Sequence, residues 1–112
     1  MLNSSLDGEY ATITNAICAN SIKCYRWGRL LRITTAGTIT STLTAGTQVS
    51  IGTLPENFCP GYTVSKHIIY RSGTDYRAHG RLIIDGSTGV ISLIPHEVPT
   101  SGGTLFIDET FF

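Results

Sequence analysis

The amino-acid sequence predicts an all-β protein, an antiparallel β-sandwich of about eight or nine short strands. Residues that favour turns recur about every eight to twelve positions, which is the spacing expected of a sandwich or barrel. The runs between these turns are rich in Thr, Ile, Val and Tyr, which suit a pleated, half-buried strand. No window carries apolar residues at helical spacing for three turns, so we expect almost no helix.

The predicted strands are the runs that lie between clusters of Gly, Pro, Asn, Asp and Ser. These turn clusters fall at residues 35–37, 45–46, 55–57, 59–61, 72–75, 85–87 and 101–103. The strands expected between them are Tyr10–Ala16, Ile22–Trp27, Arg29–Thr34, Thr38–Thr42, Thr47–Ile51, Thr63–Tyr70, Tyr76–Ile84, Gly89–Ile94 and Thr104–Phe111.

Alternation within the strand Tyr76–Ile84 separates its two faces. A period of two places Ala78, Gly80, Leu82 and Ile84 on one face and Arg77, His79 and Arg81 on the other. The sequence from Ile83 to Ile91 is typical of a hairpin with a glycine-assisted loop.

Length and composition indicate one domain. The chain has 112 residues, of which we expect 1–8 to be a linker and 9–112 the sandwich. Formal net charge is zero and no apolar run approaches the ~20 residues of a membrane span, which argues against nucleic-acid binding and membrane insertion. The N-terminus has no secretory-signal pattern. The three cysteines are odd in number and lack paired spacing, so we expect buried reduced thiols, although a Cys24–Cys59 bridge stays open.

We interpret two of the strands as carrying apolar residues on both faces. One holds Val90, Ile91, Leu93 and Ile94, and the other holds Leu105, Phe106, Ile107 and Phe111. A strand that is apolar on both faces must be covered on both. Because charged residues make up only 14% of the chain, against about 25% in typical soluble domains, we expect a second copy to cover part of the surface. A wide sandwich centre capped by loops is the alternative.

Several motifs resemble one known family. They are residues 24–33, Ile51-Gly52-Thr53-Leu54-Pro55, Phe58-Cys59-Pro60, the hairpin 80–93 and the terminal strand 105–112. Together they resemble the C-terminal head domains of phage and prophage tail-fibre and receptor-binding proteins, common in phages of Gram-positive gut bacteria. The resemblance covers about residues 24–112, with Asn57-Phe58-Cys59-Pro60 in place of the more usual G-Y-x-P.

The resemblance implies a homotrimer of jelly-roll or TNF-like sandwiches at the tip of a tail fibre in the virion, made in the bacterial cytoplasm. Its partner would be a host cell-surface glycan or cell-wall polymer. Residues 1–8 would then be the end of a preceding fibre region. Binding loops vary among such heads, so the resemblance carries over no binding residue.

Candidate ligand-binding residues come from residue chemistry alone. Aromatic faces stack on sugars while charged and hydroxyl groups bond to ring oxygens, and loops on a rigid scaffold usually supply them. The residues that fit are Tyr70, Arg71, Asp75, Tyr76 and Arg77, with Trp27 elsewhere. The same residue types also suit a simple turn or a subunit interface, and a lone Trp is often a core anchor.

Other functions have weaker support in the sequence. The eight Asp and Glu residues are scattered and no G-x-S-x-G elbow occurs, so we predict neither an enzyme nor a cofactor. We predict no metal site, although symmetry copies of His67, His79 or His96 could meet on a three-fold axis. Two alternatives remain: a structural trimerisation or capping domain of a fibre, and a C1q- or TNF-like trimer that binds proteins.

Overall fold

The computed structural model describes the backbone of residues 8–72, 76–96 and 104–111, and the side chains of these ranges except residues 70–78. Within them lie eight strands and one short 3-10 helix, Glu56–Phe58. The strands are β1 Glu9–Ile13, β2 Ile22–Trp27, β3 Leu30–Thr38, β4 Val49–Thr53, β5 Val64–Ser72, β6 Tyr76–Ile84, β7 Val90–Pro95 and β8 Thr104–Phe111. No helix in the described part of the chain is long and apolar enough to cross a membrane.

The strands form two four-stranded sheets with every neighbouring pair antiparallel. The first sheet has the order β1-β2-β3-β8, and the second has the order β4-β7-β6-β5. Their apolar faces share one core. The prediction of an antiparallel β-sandwich is therefore confirmed.

Several predicted strands differ from the structure. The run Thr38–Thr42 is not a separate strand. The turn expected at residues 35–37 does not form, because β3 continues through these residues and pairs there with β8. Beyond it only Ile39 forms an isolated bridge, to Cys18. The strand expected at Thr47–Ile51 lies two residues later, and a bulge between Ser50 and Gly52 interrupts it.

The first predicted strand, Tyr10–Ala16, is shorter in the structure because Asn15 turns the chain. Its carboxamide oxygen accepts a hydrogen bond from the Ile17 backbone N–H at 3.0 Å, and its Nδ2 donates to Thr35 Oγ1 at 3.1 Å. Asn side chains compete with strand ladders in this way. β1 therefore ends at Ile13.

The alternation predicted for β6 is confirmed from residue 79 onward. Gly80, Leu82 and Ile84 are buried, whereas His79 and Arg81 are exposed. The same rule fills the core from the other strands with Ile22, Cys24, Ile33, Ile91, Leu93, Leu105 and Ile107, each at most 1% exposed.

β7 and β8 carry apolar residues on both faces, as predicted, but their inward-facing residues are already covered within one chain. Leu93, Leu105 and Phe111 are all buried within one chain, because residues two apart share a face and these point inward. Val90 is only partly buried. Among the described side chains, the large aliphatic or phenylalanine residues left exposed are Ile69 and Phe106, at 51% and 46%. These two residues are the exposed apolar groups that a second copy of the chain could cover.

The sandwich is elongated, with extents of 47 × 24 × 20 Å. β5 begins at Val64, which lines a cleft with Arg26 and Arg29 near the β2–β3 turn. Its nine residues then carry the chain about 27 Å along the sheet to Ser72. The β2–β3 turn and the β5–β6 hairpin consequently lie at opposite ends of the domain.

Candidate functional site

The residues predicted to bind a ligand fall in two separate places. Tyr70 and Arg71 lie near the end of β5, and Tyr76 and Arg77 lie at the start of β6. The register pairs Arg71 with Arg77 and Ser72 with Tyr76. Asp75 lies outside the described residues, as do the side chains of the other four. Trp27 ends β2 in the first sheet, so the structure does not bring it together with the hairpin.

Trp27 is instead part of an aromatic row with Tyr25 and Tyr10 on the outer face of the first sheet. Tyr25 and Trp27 are two residues apart on β2 and share a face, with ring centroids 5.8 Å apart and planes 4° apart. Tyr10 stands directly opposite Tyr25 on β1, with centroids 5.0 Å apart and planes tilted by 43°. Tyr10 is 56% exposed, so the row has one open end.

A charged pair continues this row across β3 and β8. Arg32 pairs in register with Tyr25, and its guanidinium carbon lies 5.6 Å from the centre of the tyrosine ring. Arg32 also donates from Nε and Nη2 to the two carboxylate oxygens of Asp108, both at 2.8 Å. These bonds lower the pKa of Asp108 and raise the pKa of Arg32, so both groups stay charged. The bidentate contact fixes the guanidinium plane beside the ring.

A shallow groove of about 640 Å³ adjoins the aromatic row. Thr12, Lys23 and Thr34 line its floor, since they form the next outward-facing rung across β1, β2 and β3. Asn20 and Ser21 form its rim, and Asn20 Nδ2 donates to the Ala36 carbonyl at 2.6 Å. The groove therefore offers hydroxyl, amide and ammonium groups next to an aromatic surface.

A second cleft, of about 320 Å³, lies at the end of the sandwich between Arg26, Arg29 and Tyr62. The guanidinium of Arg26 donates to the carbonyls of Gly28, Asn57 and Cys59 at 2.9–3.3 Å. Arg26 therefore holds the segment after the 3-10 helix against β2. This arginine has a structural role, whereas Arg29 in the same cleft is exposed.

The aromatic row and its groove place aromatic and polar groups side by side on one surface. Aromatic rings supply an apolar platform, and a small set of polar groups can fix the orientation of a ligand. Sequence reasoning found Trp27 but missed Tyr10, Tyr25 and the Arg32–Asp108 pair. Tyr25 could have been found from its two-residue spacing to Trp27, whereas Tyr10 and Asp108 require the strand register.

Comparisons with known proteins gave one informative match. No protein-family model matches the chain, and no curated protein matches it. Among solved structures, the chain is similar to the head domain of the lactococcal phage bIL170, described among the receptor-binding domains of lactococcal phages. The match covers 94% of this chain and 97% of the other, with a TM-score of 0.67 and 11% sequence identity. The chain therefore has the fold of a phage receptor-binding head domain, as the sequence motifs predicted.

Proposed function

We propose that this chain is the receptor-binding head of a phage tail fibre and recognises a saccharide on the host cell surface. The fold similarity supports a head domain, because the bIL170 domain is described as a receptor-binding domain. The observation that carries the saccharide proposal is the aromatic row Tyr10–Tyr25–Trp27 beside a hydroxyl-lined groove.

Recognition follows from the order of these groups across the sheet. A pyranose ring would stack its C–H face on the exposed Tyr10 ring, because this is the open end of the row. Its hydroxyl groups would then bond to Thr12, Lys23 and Thr34 in the groove. The row lies on paired strands and not on a loop. Binding would therefore cost little free energy for ordering the protein backbone. The hairpin 70–77 is a second proposed contact region at the far end of the domain.

The proposal includes a homotrimer at the fibre tip in the virion. The exposed Ile69 and Phe106 side chains and the low charge content support an interface between copies. Three linked heads would raise avidity by ~10²–10⁴ over a single site without new contacts, which suits a weakly bound sugar. Residues 1–8 would join the head to the preceding fibre region.

Two exposed tyrosines test the site, because one lies in the aromatic row and the other lies elsewhere on the surface. Tyr10 and Tyr62 are exposed to 56% and 59%, and only Tyr10 belongs to the aromatic row. Binding to a glycan array and to fixed Gram-positive cells should fall at least tenfold in Tyr10→Ala and stay unchanged in Tyr62→Ala. Tyr25→Ala and Tyr76→Ala extend the test to the centre of the row and to the hairpin.

Three outcomes of this experiment would contradict the proposal in different ways. Equal losses in Tyr10→Ala and Tyr62→Ala would remove the row as the site, and a loss in Tyr76→Ala alone would move it to the hairpin. No binding to any surface would favour a structural capping domain.

Light scattering separately tests the assembly. We expect about three chains per particle at micromolar concentration, and a monomer would refute the trimer.

A further inference from the structure

All three histidines of the chain lie on one patch, the outer face of the second sheet. His67 is on β5, His79 is on β6 and His96 follows β7 directly. All three are exposed. The ring centroid of His67 lies 5.4 Å from that of His79 and 6.0 Å from that of His96. We call these residues the histidine triad.

Strand register explains why the triad is compact. His79 pairs with Ile69, so His67 lies on the diagonal two residues away, within reach of a ring. The His96 N–H donates to the His79 carbonyl at 2.8 Å, which places these two residues on neighbouring strands. Because β6 alternates, His79 points away from the core, on the same face as His67.

We propose that the histidine triad is a binding site for a divalent transition metal ion, with zinc as the probe. Imidazole is a preferred ligand of zinc, copper and nickel, and a protein site of three histidines leaves a further position for water. Zinc binds imidazole nitrogen at about 2.0–2.1 Å in a tetrahedral arrangement, which places two ring centres on one ion about 5 Å apart. The two measured separations, both from His67, lie within about 1 Å of that value.

Binding requires the rings to turn. As the side chains stand, no three ligand groups of the described residues converge on one point. Exposed side chains change rotamer within picoseconds to nanoseconds, so a metal ion can collect the imidazoles without backbone movement. Arg81 is opposite His67 in the register, but its guanidinium donates to Ser65 Oγ at 3.1 Å, which directs the charge along β5.

A bound ion would link β5, β6 and the end of β7. It lies on the sheet opposite the aromatic row, so this site is independent of saccharide binding. Ligation needs neutral imidazoles, and protons therefore compete with the metal as the pH falls. Since the ion would bind the folded chain and not a preformed site in the unfolded chain, it should raise the Tm in proportion to the logarithm of its concentration.

The experiment is zinc titration of the full chain at pH 7.5, by calorimetry and thermal unfolding, with magnesium as the control ion. We expect one zinc per chain, a Tm rise of several degrees and none with magnesium. His67→Gln, His79→Gln and His96→Gln should each weaken binding at least tenfold, and lowering the pH to 5 should abolish it. Cys59→Ser is the matched control, because Cys59 is the thiol with partial exposure.

Each contrary result overturns the proposal. Absence of a Tm shift at millimolar zinc would do so, as would a shift retained when all three histidines are replaced by Gln. Loss of binding in Cys59→Ser would assign the metal to the thiol. Cobalt gives an independent readout, since its visible absorption in the native chain should show nitrogen ligands and vanish in His67→Gln.

Discussion

The inner faces of the two sheets resemble each other in residue type, whereas their outer faces do not. Both sheets contribute the same residue types to the core, with Ile33 and Ile107 from one sheet and Ile84 and Leu93 from the other, all at most 1% exposed. Their outer faces share almost nothing. The first sheet presents an aromatic row with a bidentate ion pair, whereas the second presents three histidines among isoleucines.

The difference separates the residues that specify the fold from those available for function. Burial of aliphatic side chains is non-directional, so many inner-face sequences can encode one sandwich. At 11% identity to the bIL170 head, this chain retains that fold. Side chains that stay exposed on the outer faces contribute little to the folding free energy.

The largest effect is expected for an inner-face residue compared with an outer-face one. Leu93→Ala should lower the free energy of unfolding by about 2–5 kcal/mol, because Leu93 is fully buried in the core. At a concentration low enough to keep the chains separate, Ile69→Ala should lower it by less than about 0.5 kcal/mol, because Ile69 is half exposed within one chain. Urea unfolding measures both. A large, concentration-dependent loss in Ile69→Ala would show that the assembly buries this residue.

A smaller effect should distinguish the two arginines of the end cleft. Arg26→Ala should lower the free energy of unfolding by about 1–3 kcal/mol, since it removes charged donors from three backbone carbonyls. Arg29→Ala should change it by less than about 0.5 kcal/mol, because Arg29 is exposed. Equal losses in the two variants would contradict the structural role of Arg26.

The loop between β6 and β7 should give a pH-dependent effect. Asp85 Oδ1 accepts bonds from the backbone N–H groups of Ser87 and Thr88 and from the Ser87 hydroxyl, at 2.9–3.0 Å. These bonds lower the pKa of Asp85 from 3.8 to about 2. The stabilisation is therefore complete above about pH 4 and is lost as the pH falls toward 2. Asp85→Asn should be less stable than the native chain at pH 6, and the difference should vanish near pH 2.

The smallest effect is expected in the reactivity of the cysteine thiols, which is measured without changing the sequence. Cys18 and Cys24 are buried and Cys59 is partly exposed, and none forms a disulfide. Desolvation raises the pKa of Cys24 to about 11, which removes its reactive thiolate at neutral pH. A thiol reagent should label one cysteine in the native chain and three after unfolding. Rapid labelling of Cys24 would show that the inner face opens.

The sequence predicted those parts of the fold that depend on local pattern. Strands Ile22–Trp27, Tyr76–Ile84 and Thr104–Phe111 agree with the structure residue for residue, because alternation and flanking turns define them. The length of β3 could not be predicted, since pairing with β8 overrides the turn signal at residues 35–37. The burial of Leu93, Leu105 and Phe111 within one chain could not be predicted, since it depends on how the two sheets pack together.

The functional surfaces were less predictable because they depend on register between distant strands. The aromatic row needs β1 beside β2, and the Arg32–Asp108 pair joins residues that are 76 positions apart. The histidine triad likewise needs the order β7-β6-β5, so three isolated histidines gave no local signal. Pairing partners of this kind follow from the whole sandwich and not from any short motif.

Trp27 offers the most direct test of the proposed saccharide site, because it is the one tryptophan of the chain and stacks on Tyr25. A cell-wall polysaccharide that binds the native chain should change the Trp27 fluorescence along the same saturation curve as binding. Tyr25→Ala should lose both signals, and Tyr62→Ala should retain both. Full saccharide binding with unchanged Trp27 emission would contradict the assignment of the aromatic row as the receptor-binding surface.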